Sequence, residues 1–418
     1  MAFDCKFLGA AEDIGRLGFV LGTGEQKFLF DYGIAPDKPP LYPIPAPAID
    51  QVFLTHAHVD HSGNIPWLAS RHDGTILTTS ITAEVSHLMH KDSVKISHLE
   101  GYPEPYSYAD VDAVRDLFEH IGFKERVPLG NASAEFHSAG HIPGAAQVEL
   151  NSENGGFVFT GDLYTRAQRL VGPGKPVKCD LLAMETTYAG REHKPRDETE
   201  EDFIAYVEDI VDRGGTCIVA AFAVGRAQEV AMVLAGKGFN VWLDGMGRRV
   251  AELYGEHPQY LRDAKEYGRA LGAVKHVYNH RGRKVALKEA DVIITTSGMV
   301  EGGPILYYID QLRNDTKSGI ALTGYQVKGT NGRRLMDTNE LDLDPREPGK
   351  KVKKINMPWK HFDFSAHAGH KDMVEFARET GADDIILFHG DNREALAEDL
   401  SDFATVHMPL RGESFQIK

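Results

Sequence analysis

The decapeptide LTHAHVDHSG, residues 54–63, places His56, His58, Asp60 and His61 close together in the chain. Imidazole and carboxylate side chains are donors that suit zinc, with manganese or iron as alternatives. The apolar run QVFL precedes them, which predicts a strand reaching residue 58 with His56 and His58 on one face. Val59 breaks that alternation, and a turn before Ser62-Gly63 lets Asp60 and His61 aim at a second point nearby. One decapeptide can thus serve two adjacent cations. A solvated histidine-rich turn is the plain alternative, but four ligand types at this spacing behind an apolar run rarely coincide.

Two cations need further donors. His141 follows AEFHSAG, Asp162 follows FVFTG and His389 follows DIILF, each just past an apolar run where strand ends gather into a cleft. A lone His or Asp in such a place is more often a turn residue. Together these three complete the coordination, including a carboxylate able to bridge both ions. His87, His90, His98 and His137 are further candidates on paper. For all four the structural or surface reading is favoured, and His87 and His90 lie on a helical pattern.

Short strands must carry these positions. LGFVL (17–21) and KFLFDYG (27–33) read as a strand pair around Gly22-Thr23-Gly24, and 51–58, 74–80, 134–141 and 155–163 continue in that style. Helical periodicity intervenes at 82–99 and again over 109–121. A boundary is expected near 187–196. Beyond it an amphipathic helix with Phe203, Val207, Ile210 and Val211 stops at Gly214-Gly215. Strands at 216–223, 241–245, 291–299 and 319–325 then alternate with helices, a rhythm that suggests a parallel sheet with helices on its faces. A linker-like stretch covers 343–354, and short strands return at 361–370 and 383–390. The tail therefore reads as rejoining the opening domain, which gives 1–187 and 356–418 as one domain and 188–355 as an insert.

The 418 residues are 42% hydrophobic and 26% charged, which suits a globular chain with a real core. A net charge of −15 argues against general coating of nucleic acid, though not against a local basic groove. Cys5, Cys179 and Cys217 form no C-x-x-C pair, no signal peptide opens the chain and no apolar run could span a bilayer. A cytoplasmic protein without a membrane partner is expected.

THAHVDHSG, Asp31 in FLFDYG, His141 in GHIPGA and Asp162 in TGDL resemble the metallo-β-lactamase fold. That resemblance implies an α/β protein, an αββα sandwich with a di-metal (two Zn2+) centre at its sheet edges. It implies His56, His58 and His141 on one metal, Asp60, His61 and His389 on the other, Asp162 bridging, and Asp31 orienting the histidine loop. Glu185 in METTYAG, His367 in FSAHAGH and His389 in FHGD resemble the extra motifs of the β-CASP nucleases, which carry an inserted α/β β-CASP domain. AAFAVGRAQE (220–229), TTSGMVEGG (295–303) and TGYQVKGTNGRRL (323–335) are similar to its cleavage-and-polyadenylation-factor branch, in particular to short archaeal members lacking KH domains. The likeness runs over nearly the whole chain. It departs where Asp391 stands in place of the branch's usual Glu after the last His-Gly.

The resemblance implies a metal-dependent ribonuclease acting on single-stranded RNA, by internal cleavage, 5′-3′ trimming or both. Paired cations suit hydrolysis of a phosphodiester. Besides Asp60 at the metals, the catalytic expectation is His367 as general acid, tethered by Glu185. The insert would cover the cleft and hold the strand. Arg226 at a helix start, Lys328, Arg333, Arg334 and the cluster NHRGRK (279–284) are its candidate phosphate contacts, with Ser365 beside His367. A small-molecule hydrolase and a non-catalytic RNA-processing scaffold are the alternatives. A homodimer is left open.

Overall fold

The computed structural model of the protein describes residues 2–344 and 349–418. Residues 345–348, part of the linker-like stretch, lie outside the described residues. The chain divides into two compact units. One comprises residues 1–167, 171–192 and 366–418; the other comprises 168–170 and 193–365.

Among the described residues of the first unit there are two seven-stranded sheets. One runs in the order Ser414–Ile417, Phe3–Gly9, Gly18–Thr23, Gln26–Phe30, Gln51–Phe53, Ile76–Thr78, Phe118–His120. The other runs Thr405–His407, Asp384–Phe388, Leu181–Glu185, Gly155–Phe159, Ala146–Ser152, Ala132–Ser138, Arg126–Leu129. Alternation along each strand explains the layering. Phe7, Phe19, Phe30, Phe53, Phe157, Phe159 and Phe388 belong to the core cluster shared by the two sheets, and the Phe19 and Phe159 rings stack with centroids 5.8 Å apart. Each such side chain contributes roughly 1.5–3 kcal/mol on burial. The intervening residues face outward. Val20, Leu29 and Val52 pack with Ile65, Leu68 and Val114, while Leu182, Met184, Ile385 and Leu387 pack with Met373, Phe376, Leu396 and Leu400 of two helices, His370–Thr380 and Arg393–Leu400. This is the expected αββα sandwich.

The second unit holds a parallel sheet in the order Lys275–His276, Val241–Asp244, Val292–Thr295, Cys217–Ala220, Gly319–Leu322, Trp359–His361. Its central strands CIVA, VIIT and GIAL are buried throughout, as a sheet covered on both faces requires.

Local differences from the sequence reading matter for the site. The strand before the histidines is Gln51–Phe53, so His56 and His58 are not on a pleated strand; they lie on the connection into the short helix Val59–Ser62. The pattern at 109–121 splits into a helix, Tyr108–Arg115, and a strand, Phe118–His120, because Phe118 pairs in parallel with Ile76. The cations of 279–284 lie on the helix His280–Glu289 rather than on a loop.

Candidate metal centre and acid–base pair

The centre is built where strands of both sheets end. Asp31 follows Gln26–Phe30 with φ 56°, Asp162 follows Gly155–Phe159, Glu185 closes Leu181–Glu185, and His389 follows Asp384–Phe388 with φ 57°. The last three strands run parallel, so their carboxyl ends share one edge. The helix Val59–Ser62 is docked there by backbone hydrogen bonds: Leu17 N–H to Asp60 O at 2.8 Å, Tyr32 N–H to His61 O at 2.8 Å and Ile34 N–H to Val59 O at 2.9 Å. His90 is buried behind it with Nε2 2.8 Å from Ser62 O, a structural role.

Hydrogen bonds fix which ring nitrogens are left for a metal. Asp31 Oδ1 accepts from Thr55 N–H at 2.7 Å; its Oδ2 accepts from Thr55 Oγ1 and from His61 Nδ1, both at 2.7 Å. Thr55 Oγ1, its proton given to Asp31, accepts from His56 Nδ1 at 3.1 Å. His141 Nδ1 donates to Ala366 O at 2.7 Å. In all three histidines Nδ1 is thus the protonated nitrogen, and Nε2 presents its lone pair, the arrangement that supporting hydrogen bonds impose on metal-ligating imidazoles.

Those nitrogens converge on Asp162. Its Oδ2 lies 3.4 Å from His56 Nε2 and 3.5 Å from His141 Nε2; its Oδ1 lies 3.0 Å from His61 Nε2 and 3.4 Å from His389 Nδ1. His58 Nδ1 is 2.9 Å from His141 Nε2, and Asp60 Oδ2 is 3.4 Å from His389 Nε2. Two adjacent donor groups result: His56, His58, His141 and Asp162, and Asp60, His61 and His389, with Asp162 Oδ1 also close to His61 and His389. The Nε2 atoms of His56, His61 and His389 and Oδ1 of Asp162 are buried yet find no hydrogen-bond partner among the described residues. Unmatched buried polar atoms are costly. Donors spaced at 3.0–3.5 Å match the ~3.4 Å edge of a polyhedron with ~2.1 Å metal bonds. The residues therefore fit divalent cations.

Electrostatics agree. Burial holds His56 down to about 3 and His141 well below its ordinary value, so both stay neutral, as metal ligation requires. For Asp162 burial acts upward, but the surrounding imidazoles, His61 foremost, hold it well below the usual carboxylate range. His61 itself is held up, burial notwithstanding, by Asp162 and Asp31, so between these carboxylates a proton takes the place on Nε2 that a bound cation would take.

Beside the cluster stands an acid–base pair. His367 Nδ1 donates to Glu185 Oε1 at 2.8 Å, while its Nε2 is 3.8 Å from Asp162 Oδ2. Glu185 is fully buried, and its two oxygens accept from Leu163 N–H at 2.9 Å and Thr187 N–H at 3.0 Å, so the carboxylate has one orientation. The Tyr188 ring is roughly parallel to that of His367, with centroids 6.0 Å apart. Sequence reasoning missed Thr55, Ala366 and Tyr188. The first and last are visible only as the polar or aromatic neighbours of a ligand motif, and Ala366 acts through its carbonyl.

The substrate candidates lie in the second unit. Arg226 opens the helix Arg226–Leu234, and its guanidinium donates to Thr323 O. Lys328 and Arg334 are exposed, and Arg333 pairs with Asp337 at 3.0 Å. Ser365 is buried, its N–H donating to Asp363 Oδ1 at 3.1 Å. Arg283 of the 279–284 cluster is committed elsewhere: it binds Asp244 at 2.7 Å, beside the hydroxyl of Tyr308.

Comparison with known proteins places this geometry. Residues 16–176 match the metallo-beta-lactamase superfamily, 227–335 the Beta-Casp domain and 353–409 the Zn-dependent metallo-hydrolase RNA specificity domain. The "Probable RNase MJ4" of Methanocaldococcus jannaschii is 34% identical, over 98% of this chain and 99% of that protein. The chain belongs to the β-CASP ribonuclease family of the metallo-β-lactamase superfamily, in its archaeal cleavage-and-polyadenylation-factor-like branch. Within this family the "RNase aCSPSF2" of Saccharolobus solfataricus is 32% identical over 95% of this chain and 82% of its own length. A "Transcription termination factor FttA" of Methanococcus maripaludis is 32% identical over 92% of this chain and 66% of that protein. A crystal structure of a protein of unknown function from Enterococcus faecalis shares the fold, with a TM-score of 0.62 at 15% identity over 100% of both chains.

Proposed function

We propose that this β-CASP family member hydrolyses phosphodiester bonds of single-stranded RNA, in RNA processing or transcription termination, with zinc as the resident cation. The observation that carries the reading is the convergence of buried, unpartnered donor atoms from His56, His61, Asp162 and His389 beside a separately held His367. His56, His58 and His141 would hold one cation, Asp60, His61 and His389 the other, and Asp162 both. When bound, the pair supplies Lewis acidity toward a phosphate and an activated water.

The chain's own residues do the rest. Asp31 and Thr55 lock the ligand imidazoles, so little reorganisation is needed on binding substrate. Glu185 accepts from Nδ1 of His367 and leaves the Nε2 proton facing the centre for the departing oxygen. Arg226, Lys328, Arg333, Arg334 and Ser365 are the proposed contacts to the RNA strand. The exposed Arg333–Asp337 pair is screened by solvent and gives way to a phosphate at little cost. The three free cysteines suit a reducing compartment, the cytoplasm. Among the described residues no helix is long and apolar enough to cross a membrane.

Incubation with RNA labelled at either end, with and without chelator, tests the proposal. Chelator-sensitive fragments are expected, and their pattern over time separates internal cutting from 5′-3′ trimming. Metal-loaded chain that leaves single-stranded RNA intact would refute it.

A further inference from the structure

Among the described residues outside the active centre, one more group of ligand side chains comes together. Glu135 and His137 lie on the strand Ala132–Ser138 and Glu149 lies on Ala146–Ser152. Their neighbours Ala134, Phe136, Val148 and Leu150 point into the sandwich core, so by alternation these three share the outer face. Glu135 is directly opposite Glu149 in the antiparallel register. Like charges in that position destabilise a sheet unless something positive lies between them. The cation expected from the other side does not serve. Arg126, which pairs with Glu135 across the next strand, turns its guanidinium to Ser133 Oγ at 3.0 and 2.8 Å.

What does lie between the carboxylates is an imidazole. His137 Nε2 is 2.7 Å from Glu149 Oε2 and 3.6 Å from Glu135 Oε1, and one ligand atom from each residue falls within 4.8 Å of the others. Asn151 Nδ2 donates to Glu149 Oε1 at 2.7 Å, which orients that carboxylate as a supporting residue orients a metal ligand. A second observation points to a ligand. Gln147, the register partner of His137 and two residues from Glu149, is fully buried with its Nε2 bound to Ser138 O and Lys175 O. Its Oε1 has no hydrogen-bond partner among the described residues.

We infer that Glu135, His137 and Glu149 form a third divalent-cation site, separate from the active centre, on the sheet face that also carries Gln147. One imidazole with two carboxylates is a donor set for zinc or manganese. The side chains are 20–28% exposed, so the ion enters from solvent. Its role follows from position: it clamps the two strands whose connection, residues 139–145, carries the active-centre ligand His141. Sequence alone favours a structural or surface role for His137; its cross-strand partners give it this further one.

The test is metal analysis of the full chain after zinc loading and exhaustive dialysis against metal-free buffer. The parent is expected to retain one more ion per chain than His137→Gln or Glu149→Gln. The readout is a difference, so failure of the active-centre reading would change the total and leave the difference intact. Glu135→Gln, at the most exposed of the three positions, carries the same expectation and keeps the test open if another variant misfolds. Equal ion counts in parent and folded variants would overturn the inference and leave a plain His137–Glu149 ion pair.

Discussion

Asp31 is a single carboxylate that accepts three hydrogen bonds, from the Thr55 backbone, the Thr55 hydroxyl and His61. It binds no metal in this account, yet it sets the tautomers of His56 and His61. Asp31→Ala is therefore expected to weaken metal affinity by roughly 10–100-fold, read by competition with a chromogenic chelator. His367 is tuned as well as held. Burial presses its proton off, but Glu185 first and then Asp162 outweigh that effect and lift the imidazole to about 9. A general acid must be protonated, so activity is present below that value and lost as pH rises through it. With its charge offset by bound cations, Asp162 would raise His367 less, and this alkaline limb would lie below the metal-free value. Glu185→Gln removes the leading upward influence, so the limb of the kcat/KM profile should move to lower pH still. A limb unmoved in Glu185→Gln would dissociate that pair from proton transfer.

At the scale of elements, the site depends on a four-residue helix, Val59–Ser62, pressed against the strand-end segment 31–34. Gly33 makes that approach feasible, because a Cβ there would collide with the Asp60 carbonyl. Gly33→Ala is expected to push the helix off, costing about 1–3 kcal/mol as an overpacked site does, and to lower metal content with it. Thermal melting alongside metal analysis checks both; a variant that keeps its metals and its Tm would show that the segment is compliant. The sequence revealed the ligand types here but not their support. His56 and His58 were legible as neighbours in space from spacing alone. Their placement on a connection instead of a pleated strand was not, since Gln51–Phe53 ends where pairing with Ile76–Leu77 stops. Helical periodicity at 109–121 likewise yielded to tertiary pairing of Phe118 with Ile76. The β-α rhythm of the second unit was legible because buried parallel strands read as unbroken apolar runs.

Across the whole molecule, candidate ligands spread from His56 to His389 come together, Asp162 and His389 because parallel strands deliver their ends to one edge. Local pattern could nominate His141, Asp162 and His389 only as strand-end residues. Their convergence is a property of sheet order, which no window of sequence contains; likewise, the Glu135–Glu149 pairing is invisible until register is known. The central claim is a division of labour, with the cations held by one set of side chains and the proton by another. Parallel metal analysis and RNA-cleavage kinetics on the parent chain and His367→Ala test it most directly. Full metal content is expected, with cleavage slowed by roughly 10²–10⁴-fold. Loss of the metals on that substitution, or an unchanged rate with them in place, would contradict it.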